Sequence, residues 1–96
     1  MFIVTLRMSG DRAKAPALKD GHNAWIKQGF ADGAFLAVGN LEPGPGGVLL
    51  VQESDLKALE KRVNADPFVA EGVVTPEVIQ FTPKKTDDQL SFLLEG

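Results

Sequence analysis

No cysteine occurs among the 96 residues of this chain. Disulfides, thiolate nucleophiles and cysteine-ligated zinc are therefore excluded. Histidine occurs once, as His22. A lone imidazole among scattered acids lacks the ligand spacing of a metal site, so no metal is expected. No apolar run approaches the ~20 residues that span a bilayer. The apolar start "MFIVTLRM" lacks the charged leader and small-residue cleavage site of a signal peptide. The expectation is a cytoplasmic protein with no membrane partner. Clustered positive charge is missing too. The pair Lys84 and Lys85 runs straight into "TDD", and the net charge is −3, so nucleic acid is not an expected partner. The three serines, Ser9, Ser54 and Ser91, read as loop, cap and tail residues, and none stands in a nucleophile elbow. The glycine-rich "EPGPGG" has neither the phosphate-loop lysine nor dinucleotide spacing, and opens no helix; it reads as a turn.

What remains is 44% hydrophobic and 24% charged, ordinary for one folded domain with a modest core. Residues 2–8, "FIVTLRM", alternate as a strand, with Phe2, Val4, Leu6 and Met8 on one face and Ile3, Thr5 and Arg7 on the other. Residues 15–31 read as a helix, with Pro16 in its first turn. Leu18, His22, Trp25, Ile26 and Gly29 form its apolar stripe, so His22 faces the core or a lined cleft. Gly21 and Gly29 weaken that helix and allow close approach of a neighbour or ligand. After the turn signal at 32–33 come a strand at 35–38, a loop at 42–47 and a strand at 48–52. Ser54 is the expected cap of a second helix, with Asp55 favourable near its positive end. Leu56, Leu59 and Val63 give that helix its apolar stripe, and it ends around Asn64. A last strand covers 73–82.

The order β-α-β-β-α-β predicts a ferredoxin-like α+β sandwich over residues 1–83, followed by a C-terminal tail, 84–96. Both helices lie on one sheet face. The other face still carries Ile3 and alternating members of 35–38 and 48–51. An exposed apolar patch of that size calls for a second copy, and a homodimer is expected.

The chemistry available is general acid–base catalysis. Histidine is suited to proton transfer near neutrality, and a carboxylate on one ring nitrogen leaves the other free to act. The candidate orienter is Asp66 in "NADPFVAEG", 44 positions from His22. Its bland reading is a helix N-cap before a first-turn proline, and local statistics favour that reading. His22 likewise has a bland reading, as a satisfied structural histidine. One carboxylate can serve as both cap and partner. Arg7 either pairs with a carboxylate across a dimer or attracts an anionic substrate.

The segments "GHNAWIKQGFADGAFLAVGNLEPGPGG" and "RVNADPFVAEGV", leading into "TPEVIQFTP", resemble the YciI family of YCII-related domain proteins. The resemblance covers roughly residues 1–83. It implies a ferredoxin-like protomer of the dimeric α+β barrel type, similar in fold to muconolactone-isomerase-like enzymes. It also implies a histidine–aspartate active-site pair, which falls here on His22 and Asp66. Activities suggested within the family act on small cyclic or aromatic intermediates and include dehydrochlorination. With the resemblance, a paired His22 and Asp66 outweighs purely structural roles; Pro67 and Phe68 would then hold Asp66 and wall a pocket, and Trp25 or Phe35 would supply an apolar or stacking surface. The expected protein is a small enzyme needing no cofactor, of lyase, isomerase or hydrolase type, acting on a small-molecule ligand. The competing readings are a dimeric ligand-binding module and an accessory protein that recruits a partner through its tail.

Overall fold

The computed structural model describes residues 1–94. Along the chain run β1 (Phe2–Met8), α1 (Ala15–Ala31), β2 (Phe35–Asn40), β3 (Gly46–Val51), α2 (Leu56–Asn64), the single-turn α3 (Pro67–Ala70) and β4 (Val74–Gln80). The strands form one antiparallel sheet in the order β2-β3-β1-β4. This is the ferredoxin-like α+β arrangement expected from the element order.

The alternation in β1 sorts the two sheet faces. Phe2, Val4 and Leu6 are buried towards the helices and pair in register with Val51, Leu49 and Gly47 of β3. Ile3, Thr5 and Arg7 point the other way, beside Leu50, Val48 and Gly46. The core combines the helix-facing residues with Leu59 and Val63 of α2 and with Val73. Each fully buried aliphatic or aromatic side chain contributes about 2 kcal/mol relative to exposure. On the open face Ile79 is 58% exposed, next to half-covered Ile3 and Leu50.

Helix α1 spans the residues its periodicity predicts. A short 3-10 turn at Arg12–Lys14, capped by Asp11, leads into it, and Pro16 lies in its first turn. Gly33, in the left-handed region at φ 75°, ends it and lets its N–H reach the carbonyl of Phe30. The two α1 glycines are approached by side chains. A Cβ on Gly29 would lie 2.2 Å from the Phe35 ring, and one on Gly21 would lie 3.1 Å from Cγ of Pro67.

Three local expectations change. The cap of α2 is Asp55 rather than Ser54: its Oδ1 accepts from the Ala58 N–H at 2.8 Å. A capping side chain must stand immediately before the first helical residue, and that residue is Leu56. Strand β3 begins inside the glycine-rich loop, at Gly46, because the β1 ladder runs through Arg7 to reach it. Strand β2 extends to Asn40 and carries a bulge, since Phe35 opposes Val51 while Ala37 opposes Leu50. Leu36 is the extra residue, and beyond it the facing of the strand inverts. Val38 and Asn40 therefore turn to the helix side.

The tail folds back on its own domain. Leu93 shares a groove with Met1 and Phe81, while Leu90, Phe92 and Leu94 remain exposed. The last two residues assigned to the tail, 95 and 96, lie outside the described residues.

Candidate active site

Helix α3 exists because Asp66 caps it and Pro67 starts it. Oδ1 of Asp66 accepts from the Phe68 N–H at 3.1 Å, and the Asp66 carbonyl accepts from the N–H of Ala70. Gly72, at φ 72°, releases the chain into Val73 and β4. The cap fixes the rotamer of the carboxylate. Packing then aims it at α1, because Gly21 has no side chain to hold Pro67 away.

One residue further along α1, the Nδ1 of His22 lies 2.7 Å from the same Oδ1 of Asp66. The His22 side chain is 16% exposed and that of Asp66 is 0% exposed. A single carboxylate oxygen thus serves both as helix cap and as histidine partner. The other oxygen, Oδ2, is buried without a protein hydrogen-bond partner. A buried carboxylate that accepts at one oxygen only favours a donor on Nδ1, so the imidazole proton belongs there. Nε2 is then the free nitrogen.

His22 opens on a cleft of about 360 Å³ between α1 and the helix side of the sheet. Its walls are mostly apolar, with Met8, Ile26, Val38 and Val74 among them, and Asn23 and Asn40 supply polar groups. No lysine or arginine lines it. The Phe68 ring lies nearly parallel to the imidazole, 4.2 Å between centroids, and Trp25 is near-parallel at 5.8 Å. The imidazole is thus stacked against two aromatic rings.

Of the expected pocket residues, Phe68 lines the cleft and touches His22. Trp25 stands behind His22 instead. Its Nε1–H donates to the Arg62 carbonyl at 2.9 Å, which ties α1 to α2. Phe35 is not a wall of the cleft. It is 3% exposed and packs edge-on to Trp25, in the gap left by Gly29. Arg7 is also outside the cleft, on the open sheet face, where strand alternation puts it. Most other lining residues were not anticipated from sequence, Asn23, Asn40 and Gly47 among them. Asn23 adjoins His22 and was in view. Asn40 reaches the cleft only through the β2 bulge, which no local sequence signal announces. Among the described residues, no three His, Asp or Glu side chains stand close enough to hold a metal ion. None of the described helices is long and apolar enough to cross a membrane.

Fold and site together define a ferredoxin-like α+β domain, the protomer type of dimeric α+β barrels, with a histidine–carboxylate contact at an apolar cleft. More narrowly, the chain belongs to the YCII-related domain family, whose model matches residues 1–82. Among solved structures it is similar to 5-chloro-2-hydroxyhydroquinone dehydrochlorinase from Burkholderia phenoliruptrix AC1100, in complex with 2,5-dihydroxybenzoquinone. The TM-score is 0.68 at 15% identity, covering 84% of this chain and 93% of that one. At that identity the likeness is one of fold. No curated protein matches the chain in sequence.

Proposed function

We propose that this protein is a small cofactor-independent enzyme performing proton-transfer chemistry on a planar cyclic or aromatic metabolite. The observation that carries the reading is the 2.7 Å contact between His22 Nδ1 and the fully buried Asp66 carboxylate, on the wall of an apolar cleft. Asp66 holds the Nδ1–H tautomer, and Nε2 accepts a proton from a substrate hydroxyl or ring carbon. The buried carboxylate and the Phe68 face stabilise the resulting imidazolium. The proton then returns at a second position, as in an isomerisation, or leaves with a departing group, as in an elimination. Over one cycle the dyad is unchanged. The bound quinone of the dehydrochlorinase supports a planar cyclic substrate class. The cation-free lining favours a neutral or phenolic ring over a carboxylate, and so supports, of the two readings of Arg7, pairing across a dimer.

The test is a turnover screen of hydroxylated and chlorinated hydroquinones, read by absorbance and chloride release. Wild type should turn over at least one of them, and His22→Gln should lose about 10²–10⁴-fold in rate. Unchanged turnover in His22→Gln would sink the dyad. Binding without turnover across the panel would make the protein a ligand-binding module.

A homodimer through the open sheet face belongs to the same proposal. Ile3, Val48, Leu50 and Ile79 form an apolar surface there that a second sheet would cover. Arg7 would then meet the partner copy. Sedimentation should give a dimer for wild type and a monomer for Ile79→Lys; a wild-type monomer would refute the assembly.

A further inference from the structure

Three glycines border the cleft, Gly39, Gly46 and Gly47, and the structure requires them for different reasons. Gly46 is needed by the backbone. It has φ 143°, and a Cβ there would lie 2.3 Å from the Leu6 carbonyl oxygen. Gly39 opposes Val48, so its missing side chain belongs to the open face. Gly47 has neither excuse. Its φ is not positive, and the only neighbour of an added Cβ is the Gly39 carbonyl oxygen, at an ordinary 3.6 Å. Glycine in a strand interior also weakens the strand, so nothing local favours it there.

Register explains what the missing side chain does. Gly47 opposes Leu6 on one side and Asn40 on the other, and all three belong to the helix side of the sheet. A side chain at 47 would project into the cleft that His22 lines from above. The geometry points to Gly47 as the specificity-determining residue of the site: its bare backbone is the floor that admits a flat ring, with the Asn40 amide beside it to meet a ring hydroxyl. This rests on reading the cleft as the substrate site. The space suits the assignment, since a cavity of ~150 Å³ already holds a benzene ring and this cleft offers about 360 Å³.

The test uses the full chain, with hydroquinone and tert-butylhydroquinone as probes at millimolar concentration. Binding is read from the ring resonances of His22 and the methyl resonances of Ile26, alongside thermal melting. Both probes should shift these signals in wild type. Gly47→Ala should weaken the bulkier probe about tenfold with less effect on hydroquinone, and Gly47→Val should weaken both by about tenfold or more. Neither variant should melt below wild type, because glycine in a strand interior is less stabilising than alanine or valine. Undiminished binding to Gly47→Val would overturn the assignment while leaving the His22 site standing. A lowered melting temperature in both variants would make Gly47 a structural residue and overturn it as well. Failure of either probe to touch His22 in wild type would remove the aromatic site and this inference with it.

Discussion

Two aspartates cap two consecutive helices, and their fates differ. Asp55 opens α2 and accepts from the Ala58 N–H at 2.8 Å. Asp66 opens α3 and accepts from the Phe68 N–H at 3.1 Å. By local chemistry they are the same device. Asp55 is exposed, whereas Asp66 is 0% exposed and shares its capping oxygen with His22. The cap places a carboxylate; burial against a second helix sets it in contact with a histidine. The comparison also explains why α3 need be only one turn long. One turn is enough to hold the Asp66 carboxylate at a fixed angle, and Gly21 leaves room for its approach to α1.

The sharpest way to break the comparison is to substitute both aspartates by asparagine, which caps about as well as aspartate. Asp66→Asn should lower turnover of whichever hydroquinone serves as substrate by about 10²–10⁴-fold, as expected when a histidine loses its orienting carboxylate. Asp55→Asn should leave turnover unchanged. Equal losses in the two variants would show that both act through stability alone. In the nitrogen spectrum of the single imidazole, Asp66→Asn should also move proton density off Nδ1, while Asp55→Asn should not.

A smaller effect is expected from Gly21→Ala. The added methyl presses on Pro67 at 3.1 Å, so α3 must yield by a few tenths of an ångström. Alanine is meanwhile the better helix former. Turnover should fall about tenfold with stability nearly unchanged, since misplacement by a full ångström costs ~10². A rate equal to wild type would mean that the approach of α3 is not critical. Asp55→Ala should cost about 1 kcal/mol of unfolding free energy in urea, with no change in ligand affinity.

The smallest effect concerns Asp32 at the C-terminal end of α1. A hydrogen bond from Gln28, and then the Arg62 guanidinium, hold its carboxyl below the usual carboxylate range. A depressed folded-state value contributes stability above the unfolded value of ~3.9, and that contribution is lost as pH falls through the folded value. Asp32→Asn should therefore melt slightly below wild type at neutral pH, and the gap should close in strong acid. A gap that persists there would assign the effect to packing.

Much of this architecture is written locally. The alternation of β1, the span of α1, the turn at Asp32–Gly33 and the capped proline turn at Asp66 all follow from neighbours within a few residues. Backbone sterics, side-chain period and capping act over that range. The family is legible as well, since the YCII-related match over residues 1–82 spans nearly the same residues as the resemblance read from the sequence. Distances across the chain are another matter. That His22 and Asp66 meet at 2.7 Å, through one oxygen doing two tasks, depends on how closely α3 packs on α1. That Asn40 faces the cleft depends on a bulge against β3, and that Phe35 stands outside it depends on its packing against Trp25 and Gly29. These are relations between residues distant in sequence, set by which surfaces bury each other, and no periodicity within a single segment encodes them.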